Sequence, residues 1–161
     1  MTYLPTGCAQ ADIAELDAFW AKAKRDLPTL PETYQVRWIG IDRDTTRDVI
    51  DLIRAGDKTG TFTLPWFVEN SGQPVPAVGD TIILIDFDGH PHLIVRLTDI
   101  ETVAFGDITL EHTAIDGPPV RDLSIWVPLH TSYWNGMLAP FGKRVGDAMP
   151  VWVEKFELLT S

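Results

Sequence analysis

Two apolar runs, TIILIDF (81–87) and HLIVRLTDI (92–100), are separated only by DGHP. Both are rich in β-branched residues, and the Asp88-Gly89 pair marks a tight antiparallel hairpin. This hairpin at mid-chain is the strongest constraint on the fold, because a doubly wound parallel sheet needs strands that alternate with crossover helices. The flanking segments do not supply that alternation. Apolar residues at Ile13, Leu16, Phe19, Trp20 and Ala23 predict a helix over 11–27, with Lys22, Lys24 and Arg25 near the end that favours cations. Two prolines in LPTLPE break it, and VRWIGI (36–41) reads as a short strand. A second helix is expected over 44–56, capped by Asp44 or Thr45 and ended by Gly56. TGTFTL (59–64) reads as a strand and 69–80 as a turn-rich loop. DITLEHTA reads as one or two helical turns capped by Asp107. A helix follows over 121–137, with Pro128 tolerable only in its first turn or at a kink. PVWVEKFELL closes the chain as a strand with Val151, Val153 and Phe156 facing inward. The order predicts an α+β fold, a small mixed β-barrel flanked by helices.

A chain of 161 residues suits one domain, and 45% hydrophobic content with six Trp and seven Phe suffices for a filled core. Residues 1–30 read as a helical extension packed on a domain spanning 31–161. Thirteen basic against 23 acidic residues give a net charge of −10. That field opposes non-specific binding to a polyanion, so any nucleic-acid role needs a local basic site. The single cysteine, Cys8, excludes an intrachain disulfide and a zinc site held mainly by thiolates. Neither a signal peptide nor a membrane-spanning run is evident, so a cytoplasmic, bacterial-type protein is expected.

AGDKTGTFTLPW (55–66) concentrates the polar chemistry. Lys58 stands just past a helix end, and Thr59, Thr61 and Thr63 alternate as side chains on one face of a strand do. Two readings stay open. Lysine after a helix terminus can simply meet the dipole and solvent, and threonine favours strands because it is β-branched. Alternatively, the lysine and hydroxyls line a ligand cleft walled by Trp66.

The segments WIGIDRDTTRDVIDLIRAGDKTGTFTLPW, PVPAVGDTIILID, HLIVRLTDIETVAFGDIT, AIDG, LSIW and MPVWVEKFEL, in this order, resemble the ASCH domain, a PUA-like barrel. The resemblance covers roughly residues 15–158 and is closest to the bacterial stand-alone branch with an N-terminal helical extension. Its most specific parts are Gly56-x-Lys58-x-x-Thr61, Val78-Gly79-Asp80, and Trp126 with His130 four residues on. It implies a cleft beside the barrel for RNA or a modified nucleotide or nucleoside. It also implies an alternative, a hydrolase in the same cleft, either a ribonuclease or an amidohydrolase of N(4)-acetylcytidine-like nucleosides. The family's catalytic Lys, Thr and Glu fall on Lys58, Thr61 and Asp116. Aspartate here is one methylene shorter than the family glutamate, and the family arginine after the threonine is replaced by Thr63. Ligand contacts are implied for Lys58, Thr61, Thr63, Trp66, Trp126 and His130. No cofactor, metal or membrane partner is implied.

A threonine hydroxyl needs a base to become a nucleophile, and lysine serves as that base only in its neutral form. Burial favours that form, whereas a touching carboxylate favours the ammonium. If Lys58 and Asp116 meet, Lys58 is a charged clamp for a carbonyl or phosphate oxygen. His90 and His92 with Asp86 and Asp88 offer metal-type ligands, but at a hairpin tip they equally read as a solvated turn. Trp126, His130 and Trp134 share a helical face that either stacks a base or packs the core. Lys143 and Arg144 form an adjacent basic pair that either meets a phosphate or lies in a solvated loop.

Overall fold

The longest ladder in the molecule joins β4 (Pro91–Ala104) to β5 (Pro150–Thr160), antiparallel, from Ile94 opposite Thr160 to Ala104 opposite Pro150. β3 (Thr81–Ile85) pairs with β4 as the predicted hairpin, and Gly89 takes the left-handed conformation its turn requires (φ +84°). β1 (Gln35–Trp38) adds to β3 in parallel, and β2 (Gly60–Thr63) adds to β5 antiparallel. The sheet order is β1-β3-β4-β5-β2, a mixed five-stranded sheet curled into a half-barrel whose edges are β1 and β2. This computed structural model describes residues 7–160.

Helices cover the sheet where their apolar faces demand it. α1 (Ile13–Asp26) buries Leu16, Trp20 and Ala23 against Ile83, Ile85 and Ile94. α2 (Arg43–Ala55) packs Ile50 and Ile53 against Ile82, Leu93 and Val95. α5 (Leu123–Leu138) places Trp126, Trp134 and Leu138 on Phe62, Phe105, Val151 and Val153. Val151, Val153 and Phe156 are buried as expected, but on opposite sides. The two valines join the α5 cluster and Phe156 joins the α2 cluster. β5 is thus covered on both faces.

Local details differ from expectation at several points. α2 is capped by Asp42, whose Oδ1 accepts from the Thr45 amide at 2.8 Å while Thr45 Oγ1 accepts from the Asp42 amide at 2.9 Å. Thr45 is the partner in a capping box and not the cap itself. α3 (Pro65–Ser71) starts directly after the expected strand and runs into the first three residues of the expected loop, because Pro65 at its first position is pre-set for a helix. α4 (Leu110–Thr113) is capped by Thr109, after a 3₁₀ turn at Phe105–Asp107. Pro128 lies inside α5, beyond its first turn. Val78–Asp80 pins the turn before β3: Asp80 Oδ2 accepts from the Ala77 amide at 2.8 Å and from Gln35 Nε2 at 3.1 Å. Among the described residues no helix is long and apolar enough to cross a membrane.

Candidate functional site

A cavity of about 350 Å³ opens between the two edges of the half-barrel, with β1 and β2 on its sides and α5 across it. Its volume falls within the roughly 300–1,000 Å³ of small-molecule pockets. The sequence folds locally so as to point polar groups into it. Gly56, at φ +83°, ends α2 in the left-handed region, and the amides of Asp57 and Lys58 both turn back to the Leu52 carbonyl. That turn delivers the Lys58 side chain to the cavity instead of to solvent. On β2, Phe62 faces the α5 cluster while Thr61 and Thr63 face the cavity. Thr59 precedes the strand and is exposed, so the predicted row of three hydroxyls is a row of two.

Lys58 and Asp116 meet. Nζ lies 2.7 Å from Oδ1, both residues are buried, and the Gly117 amide donates to the same oxygen at 2.9 Å. Oδ2 has no hydrogen-bond partner among the described residues, and Asp116 lines the cavity. The loop that carries Asp116 is held to the α2–β2 turn by Arg121, which donates to the carbonyls of Asp116 (2.5 Å) and Asp57. The Thr59 amide adds a bond to the Ile115 carbonyl at 2.8 Å. The Thr61 hydroxyl, by contrast, meets no hydrogen-bonding partner among the described residues.

His130 also lines the cavity. Its Nδ1 lies 2.9 Å from the Trp126 carbonyl, which can only accept, so Nδ1 carries the proton and Nε2 is an acceptor. Its ring stacks on Trp126 with centroids 4.0 Å apart. Desolvation against this wall pushes the imidazole down to about 4, outweighing the Trp126 carbonyl and the Asp116 charge. The ring is therefore neutral at physiological pH. The unfolded chain takes up the His130 proton near its ordinary value of 6.5, and the folded protein resists until about 4. Stability from the neutral ring is whole above pH 6.5 and drains away as pH falls toward 4. Its loss is on the order of 3 kcal/mol at most. Urea midpoints measured between pH 7 and 4 should fall more steeply for the parent than for His130→Gln; parallel curves would rule this out.

A second polar group crosses the interior beneath the cavity. Glu154 on β5 is fully buried; its Oε1 accepts from Arg37 Nη1 at 3.0 Å and its Oε2 from Thr63 Oγ1 at 2.6 Å. Arg37 is on β1, separated from β5 by two intervening strands, β3 and β4, so this ion pair requires the curl. Sequence reasoning did not single out Arg37, Glu154 or Arg121. Glu154 stands beside Lys155 and on the same strand as Glu157, so residue type alone does not mark it as the buried carboxylate.

Two predicted contacts are placed elsewhere. Trp126 is fully buried in the α5 cluster, its indole N–H without a partner among the described residues, and does not line the cavity. Trp66 packs at the rim of the same cluster against Phe141 and does not line it either. At the hairpin tip, His92 pairs with Asp86 (2.7 Å), His90 with Glu15 (3.0 Å) and Asp88 with Arg43 (2.5 Å). These partners consume the metal-type ligands, and no cluster of three or more such residues suited to a metal occurs among the described residues.

A curled mixed sheet, flanking helices and a largely apolar cavity with a few polar groups at its open side are those of a PUA-like domain. The ASCH domain family model matches residues 37–160, and the chain belongs to that family. The fold is similar to that of a protein from Enterococcus faecalis V583 in the family DUF984 (TM-score 0.81, 19% identity, 92% of each chain covered). It is also similar to that of an ASCH domain from Lactobacillus crispatus JV V101 (TM-score 0.78, 18% identity, covering 92% of this chain and 93% of that one). No curated protein matches the sequence.

Proposed function

We propose that the cavity binds a nucleobase, presented by RNA or by a free or modified nucleoside or nucleotide. The observation that carries this reading is the buried Lys58–Asp116 pair beside the unpartnered Thr61 hydroxyl, inside an otherwise apolar cavity. Lys58 has donors to spare, Asp116 Oδ2 and His130 Nε2 are acceptors, and Thr61 can act as either. A heteroaromatic edge that alternates donors and acceptors satisfies such a set, and the apolar walls hold its faces. The same geometry favours binding over hydrolysis. With Asp116 at 2.7 Å, Lys58 is a charged clamp and is poorly suited to take a proton from Thr61.

Thermal-shift titrations with nucleosides, nucleotides, acylated cytidines and short RNAs test this, since a ligand of the folded state raises the melting temperature. Each hydrogen bond to a charged group contributes about 1.5–3 kcal/mol, so Lys58→Ala should weaken binding by about 10- to 150-fold. Thr61→Val, which leaves every charge in place, should weaken it by several-fold. If both variants bind every compound as tightly as the parent, the reading fails. Turnover of an acylated cytidine or of RNA, lost in Thr61→Val, would move the assignment to a hydrolase.

A further inference from the structure

The basic pair Lys143–Arg144 follows the 3₁₀ turn Ala139–Phe141 at the end of α5, and the Lys143 amide closes that turn on the Leu138 carbonyl at 3.2 Å. Both side chains are exposed, and neither makes an ion pair among the described residues. Lys143 Nζ sits 4.8 Å from the centroid of the Trp66 ring, a cation–π distance. Trp66 meets Phe141 edge to face at 5.2 Å, and Phe141, 44% exposed, meets Phe67 at 6.1 Å. Phe67 is itself part of the cavity wall, as is Met137 one turn before Phe141. A continuous aromatic path therefore leads from the cavity to an exposed ring, with Lys143 on the Trp66 ring beside it and Arg144 next in the chain. In a chain of net charge −10, this places two adjacent cations next to the site.

We propose that Phe141, Trp66, Lys143 and Arg144 form a step at the cavity mouth for single-stranded RNA. A nucleotide adjacent to the cavity-bound base stacks on the exposed ring, and its phosphates meet Lys143 and Arg144. This rests on the nucleobase reading of the cavity and extends it, since the preferred ligand becomes a strand and not a free nucleoside. The chemistry is that of single-strand binding generally: a π-face accepts any base, and cations track the backbone. It also reconciles an acidic protein with a polyanionic ligand, because only the step carries the charge that the strand needs.

The test compares a fluorescein-labelled random RNA hexamer with the four free nucleosides on the parent, on Phe141→Ala and on the double variant Lys143→Glu/Arg144→Glu. Lys143 and Arg144 are exposed and Phe141 is 44% exposed, and a melting curve of each variant checks that it folds. The hexamer should bind the parent more tightly than any nucleoside. It should bind Phe141→Ala about 5- to 150-fold more weakly, the effect of one lost stacking platform. The charge reversal should flatten the slope of log affinity against log salt by about 1.4, the share of two phosphates on a single strand. Nucleoside binding should be unchanged in both variants. The step is overturned if the hexamer binds the parent no better than a nucleoside does, or if affinity and salt slope survive the substitutions. Lys58→Ala separates the two ideas. If nucleosides bind it unchanged, the cavity reading falls. If the hexamer ignores Lys58→Ala but is lost on charge reversal, the patch binds RNA without the cavity, and the continuous path is wrong. If the patch instead captures an acidic peptide and not the hexamer, the RNA step is wrong.

Discussion

Arg37→Met is expected to destabilise the protein by about 3–5 kcal/mol, the cost of stranding a buried charge. The side chain of Arg37 is only 19% exposed and that of Glu154 not at all, so the carboxylate would be left buried without its guanidinium. Only the Thr63 hydroxyl would remain on the carboxylate. For a chain of this length the melting temperature should drop by about 6–20 °C. The double variant Arg37→Met/Glu154→Leu should recover most of the loss, because two well-packed apolar side chains avoid desolvating any charge. Urea unfolding of the four proteins in this cycle measures the coupling directly. A single variant within about 0.5 kcal/mol of the parent would mean that Glu154 finds water or a proton without cost. The pair would then not brace the interior. The physical role at stake is spacing. Arg37 and Glu154 tie an edge strand to the opposite side of the curl, where no backbone ladder does so.

Gly60→Ala should be damaging out of proportion to one methyl group. A Cβ at Gly60 would lie 2.4 Å from the Glu154 carbonyl oxygen and 2.4 Å from Ile115 Cδ1. Ile115 can rotate away, but the carbonyl belongs to the backbone of β5, beside which β2 must lie. Overpacking of this kind costs about 1–3 kcal/mol, and contact with a backbone atom places this site at the upper end. The displacement also reaches the cavity, because Ile115 precedes Asp116 and Gly60 lies between Lys58 and Thr61. Any ligand affinity measured for the parent should therefore fall together with stability in Gly60→Ala. In a surface variant such as Glu69→Ala both should hold. Unchanged stability would show that β2 moves freely relative to β5 and would contradict the close approach described here.

The parts of this architecture that could be read in advance are those with short-range causes. The hairpin at Asp88-Gly89, the end of α2 at Gly56 and the apolar faces of α1 and α5 are each specified within a few residues. Errors of capping had the same scale. Asp42, Asp44 and Thr45 are all plausible caps by residue type, and only the bonds formed distinguish them. Lys58 with Asp116 was legible only through resemblance to a family, since 58 residues separate them and no periodicity links them. Trp126 packs inside the α5 cluster and Trp66 at its rim, because an aromatic ring suits a core as well as a cleft.

By itself, then, the sequence determined most of the helices and strands but not α3, that the sheet is mixed, and that a lysine and a row of threonines lie at the start of one strand. Local hydrogen bonding and side-chain periodicity suffice for these. Tertiary structure alone decided that Arg37 reaches Glu154 across 117 residues, that β5 is buried on both faces, and that Asp116 presents one oxygen to Lys58 and the other to a cavity. Those outcomes depend on the curl of the whole sheet, which brings its edges together and leaves an opening between them.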